Sequence, residues 1–397
     1  MRHEEEQLSQ ANRSREVLLI GAYERDNFGD LLLYQLTKGY LTECRVVAGS
    51  IIGADMAALI GDPVLPYNDL LTARSWDAVW VVGGEVGGVD TGNALTMSLN
   101  EHDGQIFDRA SSHGREVISQ YLADSSTIAP AYIPQLDRFP LSNSTPMIVN
   151  SVGLDALRIV GGSSGTDAAI NALRRADSLV VRDDHSRAVA EQHGIATILS
   201  PDMVHAISLR YPEMSTNSTP DIDSYFLFQA NGNLIEKFGA EKIAGAVAQV
   251  AITTGWRPVL FLAGTARHHD RLDQYDEVLS SLSAIAPMLR PTVLATRLPL
   301  ELAEWIAKCH VWIGSSLHGR IIAGSFGRPR VSLENAKVST YAATWDPEFP
   351  VNVECADLPT AVTDAIATAG RSSNRDASRE LAESADSMTT RLVREYL

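Results

Sequence analysis

The stretch VWIGSSLHGRIIAGSFGRPRV, residues 311–331, reads as a buried strand ending at Gly314, a Ser-Ser-Leu-His turn, a small-residue helix starting near His318, and the approach to another strand. A helix that begins just past the carboxyl end of a parallel strand points unpaired backbone N–H groups and positive dipole into a cleft, an arrangement suited to phosphate. His318 then stands beside the anion. The dipole disfavours a charge on an imidazole there and a bound phosphate favours it, so donor binding can load the ring with a proton to give away. The plain alternative is a histidine that only bonds a backbone carbonyl.

Working outward, the same strand-then-helix alternation recurs on both sides of this segment. EVLLIGAY (16–23), WDAVWVVGGE (76–85), MIVNSVGL (147–154) and SLVVRDD (178–184) are apolar runs of strand length, and HSRAVAEQHGI has helical spacing with a stop at Gly194. YPEMSTNSTPDIDS (211–224) breaks the pattern and reads as a linker. Beyond it the strands YFLFQAN, RPVLFLAG, PTVLATRL, HVWIGSS and PRVSLEN alternate with helices, and the chain is helical from Leu358 onward. Alternation of this kind predicts parallel sheets wound on both faces. The expected architecture is therefore α/β, with two Rossmann-like lobes facing a central cleft: a first lobe over 15–212, including a polar stretch at about 90–120, and a second lobe over 222–357. A helical tail, 358–397, is expected to pack back on the first lobe.

Composition agrees. A chain of 397 residues that is 45% hydrophobic and 21% charged can build two ordinary cores. Cys44, Cys309 and Cys355 stand far apart and form no CxxC pair, which argues against disulfide staples and a cysteine zinc site. The leader MRHEEEQLSQANRS is acidic where a secretory signal is basic, and no apolar run reaches spanning length, so a cytoplasmic protein without membrane insertion is expected. A net charge of −16 disfavours nucleic acid and gives weight to the few arginines placed in cleft-edge loops. A homo-oligomer is compatible with the sequence.

Several such loops carry candidates. In ERDNFGDLLL, Asn27 and Asp30 flank a turn at Gly29, where Asp30 either caps the next helix or meets a ligand, and Gly29 either permits φ > 0 or serves a site. Gly83 and Gly84 of GGEVGG let backbone approach a ligand, while Glu85, a poor neighbour for phosphate, suits an acceptor hydroxyl as general base. Arg182 ends a strand; its fork suits a carboxylate or phosphate, or an ion pair with Asp183 or Asp184. The adjacent histidines of TARHHD lack metal-ligand spacing, leaving Arg267 as an anion contact and no metal site.

Together, the NFGD turn, the GG turn, VRDDHS, SPDMVHAI (200–207) and SSLHGRIIAGSFGRPRV with Lys337 soon after it resemble the polysaccharide pyruvyl transferase family, in that family's order and over about residues 17–337. The resemblance implies a fold like that of GT-B glycosyltransferases and transfer of the enolpyruvyl carbons of phosphoenolpyruvate, a co-substrate, to hydroxyls of a sugar-containing acceptor, with no cofactor. It implies His318 as general acid, with Arg182 and Lys337 holding donor anions. The residues themselves add Ser315, Ser316, Gly319, Arg320 and Arg267 as donor-side candidates and place Glu85 toward the acceptor. Asn27, Gly29, Asp30, Gly83, Gly84 and Glu334 then line the cleft. The chain departs from the family at Glu85, where a further glycine is common, and in the polar insertion, expected to form an acceptor-side loop. A nucleotide-sugar glycosyltransferase and a non-catalytic binding homologue stay open as alternatives.

Overall fold

The computed structural model describes residues 14–159, 164–216 and 224–397; part of the expected linker and nearly all of the polar leader lie outside them. Two all-parallel sheets form the frame. The first runs β1 (Arg15–Ile20), β2 (Cys44–Ser50), β3 (Val64–Pro66), β4 (Ala78–Val82), β5 (Met147–Val152), β6 (Ser178–Val181) and β7 (Ile198–Leu199) in the spatial order β3-β2-β1-β4-β5-β6-β7. The second contains β8 (Tyr225–Gln229), β9 (Arg257–Leu260), β10 (Thr292–Val293), β11 (Trp312–Gly314) and β12 (Arg330–Ser332) in the order β10-β9-β8-β11-β12. Central strands such as AVWVV of β4 and YFLFQ of β8 are buried along their whole length, because helices cover both faces of a parallel sheet. In each sheet the chain winds outward in one direction and then returns past its first strand, creating a switch point between β1 and β4 and another between β8 and β11. Loops at the carboxyl ends of those strands part there and leave room for a ligand.

Local chemistry sets the helices that matter. Asn27 caps α1 (Phe28–Tyr40), its side chain accepting from the Gly29 N–H. The insertion is not a loop: it folds as α2 (Thr91–Ser98), α3 (Glu101–Arg109) and α4 (Ser112–Ala123). Asp90, Asn100 and Ser111 each accept the N–H three residues on, from Asn93, Asp103 and Gly114, so part of the polarity of this stretch is helix capping. α5 (Asp184–Gln192) stops in a Schellman arrangement, with Gly194 at φ +64 and the Ile195 N–H bonding the Ala190 carbonyl. α6 (Leu317–Ser325), α7 (Ala336–Trp345) and the long α8 (Ser372–Tyr396) complete the set used below.

The lobes meet through a shared core. Phe28 of α1 packs edge-on against Phe261, which packs in turn on Trp312, while the Phe28 N–H bonds the Ala263 carbonyl across the lobes at 2.8 Å. α8 lies against the first lobe. Its Asp386 accepts from the Tyr40 hydroxyl at 2.7 Å, and its Thr389 lies 3.4 Å from the Asn150 amide.

Candidate active site

The carboxyl ends of β1, β4 and β11 bring three loops together. At the start of α1, the Asn27 amide donates to Asp30 at 2.7 Å, and Arg25 stands 3.8 Å from the same carboxylate. Gly83 and Gly84 leave β4 with φ of +66 and +68. A Cβ on Gly84 would lie 2.5 Å from Asp30 Oδ1, so this turn supplies a surface on which Asp30 rests. Burial raises the Asp30 carboxyl above its ordinary range, partly offset by Arg25 and His318, which makes it a stronger proton acceptor than a free aspartate.

His318 comes from the other lobe, in the first turn of α6, whose N-cap Ser316 accepts from the Gly319 N–H. Its ring lies against Gly29: a Cβ there would fall 1.9 Å from Nδ1. Gly29 has ordinary negative φ and is glycine for room rather than for conformation. His318 Nε2 has no hydrogen-bond partner among the described residues and faces Asp202 Oδ2 at 3.8 Å, itself unpartnered.

Asp202, absent from the residues singled out in the sequence although it lies in the quoted SPDMVHAI, is wholly buried. A bulge in β5 positions it. Register shifts between Val149 and Val152, Ser151 takes φ +58, and its Oγ accepts the Met203 N–H at 2.9 Å; non-glycine backbone of this kind is costly and gathers at working sites. Burial alone would push the Asp202 carboxyl up, but the attraction of His318 and Arg182 wins and holds it below the usual carboxylate range.

Arg182 is buried amid three carboxylates, donating to Glu85 Oε2 at 2.7 Å and standing 3.7 Å from Asp183 and 3.9 Å from Asp202. Burial opposes its charge and those carboxylates more than restore it. Both Glu85 oxygens are used, the second accepting the Asp155 N–H at 2.7 Å. Glu85, read from the sequence as an acceptor base, thus stands in the structure as the ion-pair partner of Arg182, with Gly153 clearing the space: a Cβ there would lie 2.2 Å from Glu85 Oε2. A cavity of about 350 Å³ opens on this pair, walled by Glu85, Asp155, Arg182, Asp183, His185 and Lys337. Among the described residues Lys337, exposed in the first turn of α7, has no ion pair.

Other expected donor contacts face elsewhere. Arg320 turns inward, bonding Asp346, Ser332 and the carbonyls of Pro350 and Phe349, and keeps no free donor. Arg267 spends its guanidinium on Glu101, Asp108 and the Thr96 carbonyl, tying the second lobe to the insertion. Ser315 gives N–H and hydroxyl to Gln229, fixing the turn before α6. Gly319 is glycine because the Trp312 indole fills the space a Cβ would take. Glu334 pairs with Lys237. Sequence reading also passed over Glu24, which accepts from Ser50, Ser98, Tyr132 and Arg25 in a buried cluster behind Asp30.

Beside Asp202, His205 is buried with neither ring nitrogen bonded, and burial lowers its pKa to about 4. An unfolded histidine takes its proton near pH 6.5, so this group's stabilising effect is complete above that pH and is lost as pH falls from about 6.5 to about 4. The expected loss is on the order of 3 kcal/mol. Thermal melts of the protein and of His205→Leu across that window check it: the variant should show a flatter dependence.

Two winding sheets whose switch points meet across a cleft define a GT-B-type fold. Solved structures agree: UDP-GlcNAc 2-epimerase from Methanocaldococcus jannaschii aligns over 96% of this chain and 99% of its own at TM-score 0.55 and 10% identity. The Neisseria meningitidis UDP-GlcNAc 2-epimerase bound to UDP-GlcNAc aligns over 93% and 99% at TM-score 0.53 and 12% identity. At such identities the likeness is one of fold. The chain belongs to the polysaccharide pyruvyl transferase family, whose family model matches residues 27–337, and is a transferase on that ground. A search of curated proteins finds no match. No helix among the described residues is long and apolar enough to cross a membrane.

Proposed function

We propose that the protein transfers the enolpyruvyl carbons of phosphoenolpyruvate to two hydroxyls of a sugar-containing acceptor, forming a pyruvate ketal and releasing phosphate. The observation that carries this reading is the His318–Asp202 pair, an unpartnered imidazole set by one lobe against a buried carboxylate of the other. Asp202 stabilises the imidazolium form of His318, which gives its proton to the donor methylene carbon. The oxocarbenium-like carbon so formed is attacked by the first acceptor hydroxyl, whose proton passes to Asp30. The carbon–oxygen bond to phosphate then breaks as the second hydroxyl closes the ketal, and that hydroxyl's proton leaves with phosphate. His318 is reprotonated at the expense of the proton held by Asp30. Arg182 and Lys337 hold the donor's anionic groups, with the N–H groups at the start of α6 facing developing charge. The chemistry as written requires no cofactor.

Isothermal titration tests it. Phosphoenolpyruvate is expected to bind and a panel of nucleotide sugars is not; the reverse pattern would establish a glycosyltransferase. In the same titration Glu85→Gln is expected to weaken phosphoenolpyruvate binding about tenfold, about 1.4 kcal/mol, because Arg182 loses the charge that aims its fork. Unchanged affinity would free Glu85 from that role.

A further inference from the structure

A second and larger cleft, about 910 Å³, lies between the lobes on the Arg25 side of Asp30. One wall is the insertion, from Met97 to Glu101; the other is the second lobe, with Gly232, Asn233 and the loop from Thr265 to Arg271. Neither this cleft nor the Arg182–Lys337 cavity is lined by one lobe alone.

The cleft's cations are already spent. Arg25 is bonded to Glu24, Arg267 to Glu101 and Asp108, and Arg271 to Asp273. Carboxylates of Asp26, Glu101 and Glu236 line the same space. A phosphate ester entering would find several like charges and no unpaired cation on the lining, where the other cavity has Lys337. What does lie open is amphoteric: among the described residues the side chains of Asn233, His268 and His269 have no hydrogen-bond partner. Burial, with Arg25 and Lys337 nearby, lowers the His269 pKa to about 4. Its neutral ring therefore offers one donor and one acceptor, as a hydroxyl does, while Met97 and Leu99 supply apolar surface for ring carbons.

We propose that this cleft is the acceptor subsite, that it takes an uncharged polyhydroxylated ligand such as a neutral glycan and rejects phosphorylated ones, and that the inserted helices select that ligand. Calling the ligand an acceptor rests on the pyruvyl-transfer reading; the binding chemistry does not. The subsite borders Asp30 through Arg25, and the Arg182–Lys337 cavity is lined by other residues, so donor and acceptor enter through separate pockets. The insertion, where this chain departs from its family, then accounts for selectivity, with Arg267 holding α2 and α3 in place.

The test is an array of uncharged oligosaccharides with their phosphate monoesters, probed with the whole protein and with Asn233→Trp. Asn233 is exposed and its indole replacement fills the cleft without disturbing a bonded group. Binding of one or more uncharged glycans, at least tenfold weaker for their phosphate esters and at least tenfold weaker in Asn233→Trp, is the expected result. Phosphoenolpyruvate affinity in the variant should stay within threefold of the original. Binding of no glycan, equal binding of phosphorylated forms, or equal binding by the variant overturns the proposal. If neutral glycans bind and the variant blocks them while phosphoenolpyruvate fails to bind either protein, the subsite stands and the donor reading falls.

Discussion

Replacing His318 with alanine is expected to slow turnover by about two to four orders of magnitude, the usual size of a general-acid contribution. The fold should survive. The ring's Nε2 makes no hydrogen bond, and the backbone cap of α6 comes from Ser316, so the substitution removes chemistry without removing a structural bond. Because protonation of the donor carbon occurs only on the way to the transition state, kcat and kcat/KM should fall together while phosphoenolpyruvate affinity stays close to its original value. Phosphate release followed at saturating acceptor measures this, and a variant within tenfold of the original would remove His318 from the reaction.

For Asp202→Asn the expected loss in turnover is about a hundredfold or more, although Asp202 touches neither substrate. The substitution keeps size and the Val204 contact but removes the charge facing His318 and Arg182. A lone imidazolium facing a neutral amide is harder to form, so the alkaline limb of the kcat–pH profile should move to lower pH, a displacement that mere loosening of the fold would not produce. Arg182 keeps Glu85 and Asp183, so donor affinity should weaken far less than turnover. A variant whose profile keeps its position at full activity would show that the carboxylate serves packing alone.

How much of this was legible depended on what each residue's neighbours had to reveal. Strands buried along their whole length, such as β4 and β8, announce themselves as apolar runs. β2 is exposed or half-buried over its first four residues, CRVV, and β7 is only two residues long, so neither stands out from a loop. The insertion misled because its capping residues are the same types that make turns. At the site, position was readable where pairing was not. Glycines and charges at strand ends marked the cleft, but nothing local shows that Arg320 turns inward while Lys337 stays free, or that Glu85 belongs to Arg182. Asp202 escaped because its role depends on a bulge in a different strand and a histidine in a different lobe. Positive φ, one of the two readings of Gly29, is not what the structure has; the crowding that demands glycine comes from His318.

The last helix has a consequence for how the molecule is made. α8 emerges after both sheets, yet it lies against the first lobe, where its Asp386 meets Tyr40 and its Thr389 sits beside Asn150, in the strand whose bulge carries the Asp202 segment. Domains ordinarily fold in the order they leave the ribosome. Here part of the first lobe's flank stays uncovered until α8 has followed both sheets out, so the Asp202 segment gains its backing only then, and a chain cut before α8 would carry His318, Asp202 and Arg182 without that support.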